Sequence, residues 1–358
     1  MSIQETSKRL GPAILLFLVL IIFIIVTKNA DSYTRSSLSI YPYPKSRSYT
    51  PSDTSKIKFD AHGRQTNNWK IIAFTDKNYL PIAQIWYQQM TDLGYKEHYL
   101  VALDYKSLDF LKNNNYRYQK AVEFLPKSAT KQSNNNKPNK QVLSSIWKIR
   151  LKTIQSILIN EKTNLFITDV DSFWVKYKDL NLLPPNIDSF HGTGKTFPKY
   201  IFEKWGFVIC GCIGAYHYNL KTLNFVNKMV EGCQKMFIKD NDSSCDDQVV
   251  MNSLYLDMNI NWEIPPGMNA RFGYTKSTSS ETDLKVMIFS ENEVLRGIGN
   301  FQIYEKKCAA EIEYQKPWIV SPNSKKTIFG KVEMIESIPS CMSKNAYKLS
   351  KQLLQEFS

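Results

Sequence analysis

The run Leu165-Phe166-Ile167-Thr168 leads without a break into Asp169-Val170-Asp171. Few folds tolerate that order. A stretch this apolar reads as a strand buried on both faces, the mark of a sheet covered by helices. Two carboxylates can follow it only where the strand leaves the core, and in an open α/β sheet ligands bind beyond the carboxyl ends of the strands. A D-x-D there brings two hard oxygen ligands near one point, which suits Mn²⁺ or Mg²⁺ carrying a diphosphate. The bland alternative is a solvated turn with an Asx cap.

The surrounding pattern is α/β. KIIAFT, entered through Trp69 and ending at Asp76, reads as a buried strand. Ile82, Ile85, Trp86 and Met90 then recur at helical spacing within 81–93, with Gly94 as the stop. HYLVALD (98–104) is a second buried strand and completes a βαβ unit. A helical stripe over 142–160 precedes the D-x-D strand, read as 165–174. An apolar strand at 207–216 and a helix from about 220 to 237 follow. Residues 127–140 are a Lys-rich polar loop. SFHGTGK (189–195) reads as a loop, its glycines supplying flexibility rather than a phosphate cradle. No internal repeat is visible, and no second hydrophobic core separates from the first.

The N-terminus bears on the compartment. Leu10 to Val26 is an uncharged apolar run, which as a helix spans roughly 25 Å. Lys28 can snorkel to cover the rest of the hydrocarbon core. A cleaved signal peptide is the competing reading, but cutting after Ala30 would put Lys28 where a small residue is wanted. The expected organisation is a cytoplasmic tail (1–9), a transmembrane signal anchor (10–27) in the lipid bilayer and a Ser-, Tyr- and Pro-rich stem (28–68). A lumenal domain (69–345) and a C-terminal tail (346–358) follow. Lys8 and Arg9 before the span point to a type II orientation in the Golgi or endoplasmic reticulum membrane. Six cysteines, all after the span and with no C-x-x-C pair, suit disulfides or buried thiols in an oxidising lumen better than zinc. Asn241-Asp242-Ser243 is an N-glycosylation sequon. Of the net charge of +13, residues 1–27 carry +1, 28–68 carry +4 and the remainder +8. No basic helix or aromatic-basic interleave marks a nucleic-acid module.

Two chemistries use a D-x-D at a strand end. One is sugar transfer from a nucleotide sugar, with the metal stabilising the leaving diphosphate. The other is a haloacid-dehalogenase-like phosphatase, in which the first Asp attacks phosphate. The phosphatase pattern wants its D-x-D near the start of the domain and a D-D pair after a later apolar strand. Here Asp246-Asp247 follow the polar NDSSC, which favours transfer.

Several segments in order resemble the nucleotide-diphospho-sugar transferase family, glycosyltransferase family 77 and its relatives. They are KIIAFTDKNYLPIAQIWYQQMTDLGYKEHYLVALD, WKIRLKTIQSILINEKTNLFITDVDSFWVKYKDLNLLPP with the signature DVDxxW ending at Trp174, WGFVICGCIGAYHYNLKTLNFVNKM, SSCDDQVVMNSLY and NWEIPPGMNARFGYT. Together they span about Lys70 to Pro322, and DVDxxW is the specific piece. The resemblance implies a GT-A fold, a divalent metal (Mn²⁺ or Mg²⁺), a nucleotide-diphosphate sugar as donor and a glycan or glycoprotein as acceptor. It also implies retention of configuration, with galactose, xylose or arabinose transferred. Asp169 and Asp171 would hold the metal and the donor's diphosphate and ribose. Thr75 and Asp76 would lie by the nucleotide, and Lys152 would meet phosphate or remain a solvated helix-face lysine. Asp246, Asp247 and Gln248 stand where the family has a side chain near the anomeric carbon. Asp247 is the expected catalytic group, against readings as a helix N-cap or a ligand of the acceptor hydroxyl. Ser321, in Trp318-Ile319-Val320-Ser321-Pro322-Asn323, stands where relatives carry a metal-binding His. That departure implies weaker metal binding, substitution by His191, or a degenerate enzyme that only binds carbohydrate.

Overall fold

The computed structural model describes residues 69–125, 140–239, 245–264, 270–275, 283–296, 301–311, 316–321 and 327–357. The expected anchor and stem, the Lys-rich loop up to residue 139, the sequon and Pro322-Asn323 lie outside them. No helix of the described residues is long and apolar enough to cross a membrane.

The chain runs β1 (Trp69–Thr75), α1 (Leu80–Asp92), β2 (His98–Ala102), α2 (Tyr105–Asn113), β3 (Tyr118–Lys120), α3 (Lys140–Glu161) and β4 (Asn164–Asp169). After the D-x-D come β5 (Phe173–Trp174), β6 (Ser189–Gly194), α4 (Lys199–Trp205), β7 (Val208–Tyr216), α5 (Leu220–Lys239) and α6 (Asp247–Asp257). The last elements are β8 (Asn261–Glu263), β9 (Arg271–Tyr274), β10 (Lys285–Ile288), β11 (Val294–Arg296), α7 (Phe301–Cys308), β12 (Ile319–Ser321), α8 (Ile328–Glu336) and α9 (Lys344–Phe357).

Nine strands form one sheet in the order β3-β2-β1-β4-β7-β6-β10-β9-β8. Strands β1 to β4 are mutually parallel, and β7 runs antiparallel between β4 and β6. Alternation along the strands builds a core on each face. Ile71, Ala73 and Phe166 face one side, packed under α1, α7, α8 and α9. Ile72, Phe74, Leu165 and Ile167 face the other, under α3, α5 and α6. This mixed α/β sheet fits a nucleotide-sugar transferase fold. A second sheet, β11-β12-β5, packs within the first of these cores.

Three expectations need correction. The segment 165–174 is not one strand: β4 stops at Asp169, Ser172 N donates to Asp169 O at 2.9 Å, and Phe173–Trp174 joins the small sheet. The D-x-D turn is therefore one of the covalent junctions between the two sheets. SFHGTGK is not a loop but β6, buried between β7 and β10. Its neighbours cover both edges, so it needs few large apolar residues of its own. The short α2 and β3 had no counterpart in the sequence reading. The expected tail at 346–358 is mostly α9, where Ala346, Ser350 and Leu353 form a buried stripe at helical spacing.

Candidate active site

The D-x-D sits at the carboxyl end of β4, beside the end of β1, with Phe74 paired to Asp169 in the parallel ladder. Thr75 and Asp76 therefore stand next to the pair. Thr75 is buried, and the Asp76 carboxylate accepts from the backbone N–H of Asn78 and Tyr79, 3.0 Å each, closing the turn into α1. Burial raises the Asp76 pKa against those hydrogen bonds. Trp174 explains the motif's last letter. Fully buried, it packs edge-on against Phe166 (4.8 Å) and Trp318 (5.4 Å), and its carbonyl accepts from Gln89 at 2.6 Å. These contacts fix the direction in which the turn leaves the core.

Arg150 of α3 is the organising cation. Its Nη1 donates to Asp169 Oδ1 at 3.0 Å, its Nη2 to the Gly211 carbonyl at 3.3 Å, and its Nε lies 3.5 Å from Asp247 Oδ2. One guanidinium thus joins the first D-x-D carboxylate to the first turn of α6. The Arg150 and Asp247 side chains are each only 11% exposed. Burial pushes the Asp247 carboxyl up to about 6, although Arg150 pulls the other way. Burial likewise raises Asp169 above the ordinary carboxylate range, against Arg150. On Arg150, burial lowers the pKa, but the two carboxylates outweigh it and leave the net shift upward.

Asp246, Asp247 and Gln248 divide the work at the start of α6. Asp246 is the N-cap and accepts from Val249 N at 3.0 Å. Gln248 is a clamp: its Oε1 accepts from Gly211 N at 3.1 Å and its Nε2 donates to the Phe197 carbonyl. Only Asp247 turns its carboxylate toward Arg150. Glycine at 211 leaves room for Asp247, since a Cβ there would stand 3.0 Å from its Oδ1.

A second cationic group closes on Asp171. Lys331 of α8 donates to Asp171 Oδ2, and the two side chains are 8% and 17% exposed. Arg296 ends β11, in register with Ser321 at the end of β12. Its pKa is lowered by burial, with Asp169 and Asp171 opposing the shift. Its Nη1 is buried and has no hydrogen-bond partner. Ser321 is itself buried and accepts from the Ser172 hydroxyl at 2.9 Å, directly after the D-x-D.

The structure thus gathers Thr75, Asp76, Asp169, Asp171 and Asp247 at one end of the sheet. It does not bring Lys152 there. Two residues beyond Arg150, and so about 200° around the helix, Lys152 is ion-paired with Glu123. His191 lies inside the sheet, its Nε2 2.9 Å from the Tyr255 hydroxyl, with burial pulling its pKa down to about 3. Arg150, Arg296 and Lys331 were missed. The helical phase of the WKIRLK segment is the one signal that distinguishes Arg150 from Lys152.

The residues present do not fit a divalent ion as arranged. Such an ion wants anionic oxygen ligands around one point with no positive charge beside them. Asp169 is ion-paired with Arg150 and Asp171 with Lys331. The Ser321 hydroxyl is engaged by Ser172. Among the described residues no cluster of three His, Cys, Asp or Glu side chains could hold a metal.

The nucleotide-diphospho-sugar transferase family profile matches residues 95–334, two-thirds of the chain. The chain belongs to the nucleotide-diphospho-sugar transferase family. The match to this transferase family takes in Arg150, both D-x-D aspartates, Asp247, Arg296 and Lys331, and begins after Thr75 and Asp76. Among curated proteins none matches the chain.

Proposed function

We propose that the chain is a GT-A glycosyltransferase of the secretory lumen. It moves a sugar of the galactose, xylose or arabinose class from a nucleotide-diphosphate donor to a glycan or glycoprotein, with retention of configuration. The observation that carries this reading is the Arg150 bridge between Asp169 and Asp247. It couples the carboxylate expected at the donor's ribose and diphosphate to the one expected at the anomeric carbon. Family membership favours this chemistry over phosphate-ester hydrolysis.

In the reaction, the anomeric carbon–oxygen bond breaks and its electron pair passes to the β-phosphate oxygen. The ionised Asp247 stabilises the positive charge left on the sugar, through a covalent bond or an ion pair. The acceptor's hydroxyl oxygen forms the new bond on the face the diphosphate leaves, and its proton passes to the phosphate oxygen. Arg150 holds Asp247 in position and compensates its charge. The resemblance implies manganese or magnesium for the diphosphate, but the pairing of Asp169 and Asp171 with side-chain cations does not favour it. A lumenal location is supported by the pairing of six cysteines as Cys210–Cys212, Cys233–Cys245 and Cys308–Cys341. The apolar run at 10–26 supports a type II anchor.

A donor panel tests the reading. With UDP- and GDP-sugars, the full-length protein should release nucleotide diphosphate from one donor, and Asp247→Asn should slow that release by about 100-fold or more. No release from any donor, with nucleotide still bound, would favour the second reading, a carbohydrate-binding protein of the same fold. That reading draws on Ser321 standing where relatives carry His.

A further inference from the structure

A diphosphate cannot sit against bare carboxylates, because like charges at that distance repel. A cation must stand between them, and a divalent metal is the usual one. Here the chain supplies cations of its own. Lys331 meets Asp171, Arg150 meets Asp169, and Arg296 lies in the field of both aspartates. With Asp76 and Asp247, four carboxylates stand near three side-chain cations, so the chain itself offsets most of the negative charge at the site.

The three cations are not equivalent. Arg150 spends Nη1 on Asp169 and Nη2 on the Gly211 carbonyl, while its Nε makes no hydrogen bond and stands 3.5 Å from Asp247 Oδ2. Lys331 has an ammonium with three donors, and its bond to Asp171 uses one. Arg296 keeps a buried Nη1 without a hydrogen-bond partner. A buried guanidinium nitrogen without an acceptor is destabilising, so its presence needs a reason. A phosphate oxygen at the site would satisfy it, since guanidinium and phosphate match geometrically.

The placement of Ser321 fits the same logic. It pairs with Arg296 across the β11–β12 ladder and touches Ser172, immediately after Asp171. Where the family resemblance implies a metal-binding imidazole, this chain has a neutral hydroxyl bonded within the protein, paired across the ladder with an arginine whose Nη1 has no hydrogen-bond partner.

We propose that Lys331 and Arg296 bind the donor's diphosphate directly, without an intervening divalent ion, and that Asp169 and Asp171 serve to hold these cations in place. As the glycosidic bond breaks, the negative charge arriving on the β-phosphate is met by fixed ammonium and guanidinium groups. This rests on the nucleotide-sugar reading given above.

Calorimetric titration of the full-length protein with UDP and with GDP, each in EDTA and again in excess Mn²⁺, separates the two claims. One nucleotide diphosphate should bind, with a Kd in EDTA within about 3-fold of that in Mn²⁺. Lys331→Met and Arg296→Met should each weaken it by about 10- to 100-fold, while Lys331→Arg keeps most of the affinity. Binding that requires Mn²⁺ would overturn the proposal and leave the nucleotide-sugar reading standing. No binding in either condition would overturn both. The comparison in EDTA uses the wild-type chain, so a variant that fails to fold does not blunt it.

Discussion

Asp247 is the proposed catalytic group, and its environment makes the role measurable. Burial raises its pKa from the ordinary 3.8 to about 6 against the pull of Arg150. Between those values the folded chain keeps a proton that the unfolded chain has lost, so stability falls as pH rises across the window and stays lower above it. Asp247→Asn removes the titration. Relative to wild type, the variant should gain stability from pH 4 to 6, on the order of 2 kcal/mol, as denaturant titrations at several pH values would reveal. Wild-type kcat/KM should climb as pH passes through about 6, because only the carboxylate can stabilise the sugar cation, whereas the variant should be slow and flat. A wild-type profile without that limb would remove Asp247 from the chemistry. Gly211→Ala probes the same residue through space. The new Cβ would stand 3.0 Å from Asp247 Oδ1 and 3.3 Å from Gln248 Cβ. Displacing Asp247 should lower kcat by about 10- to 100-fold, with thermal denaturation showing the domain still folded.

At the level of elements, α6 is the part whose position decides whether Asp247 reaches the site. Asn252 holds it there. Its Oδ1 accepts from Ile209 N at 2.9 Å, and its Nδ2 donates to the carbonyls of Ile209 and Gln248 at 2.8 and 2.7 Å. Asn252→Ala would leave buried strand groups unsatisfied and should cost about 3 kcal/mol in chemical denaturation. The same dependence on distant partners governs what the sequence could reveal. β1, β2, β4 and β7 were legible because each is buried on both faces and is apolar along its own length. The stripe that predicted α3 likewise lies within one segment. β6 was not legible, since its burial comes from β7 and β10 rather than from Ser189–Gly194. Asp169 and Asp171 could be found because the signal is local. Lys331 lies 160 residues from its partner Asp171, and Arg296 reaches the site only through its register with Ser321. Nothing local sets these cations apart from the lysines and arginines of the surface. α9 was readable in principle from its buried stripe, had its amphipathic period been weighed against its terminal position.

For the whole molecule, the D-x-D turn joins two sheets, so the site depends on how the small sheet and its helices are held. Cys308–Cys341 ties α7 to the segment ahead of α9 across 33 residues. By loop-closure entropy, replacing both cysteines with serine should cost about 4 kcal/mol, read as a lower denaturation midpoint at unchanged slope. Part of the +13 net charge has a specific place in this picture, because Arg150, Arg296 and Lys331 stand against carboxylates at one end of the sheet. The most direct test of the site is a crystal structure of the full-length chain with the nucleotide diphosphate that binds it. The expected result is density for the phosphates at the carboxyl ends of β1 and β4, within hydrogen-bond reach of Lys331 and Arg296, with the open end facing Asp247. Phosphate density elsewhere, as in the hollow lined by Gln84, Phe110 and Leu349, would contradict it.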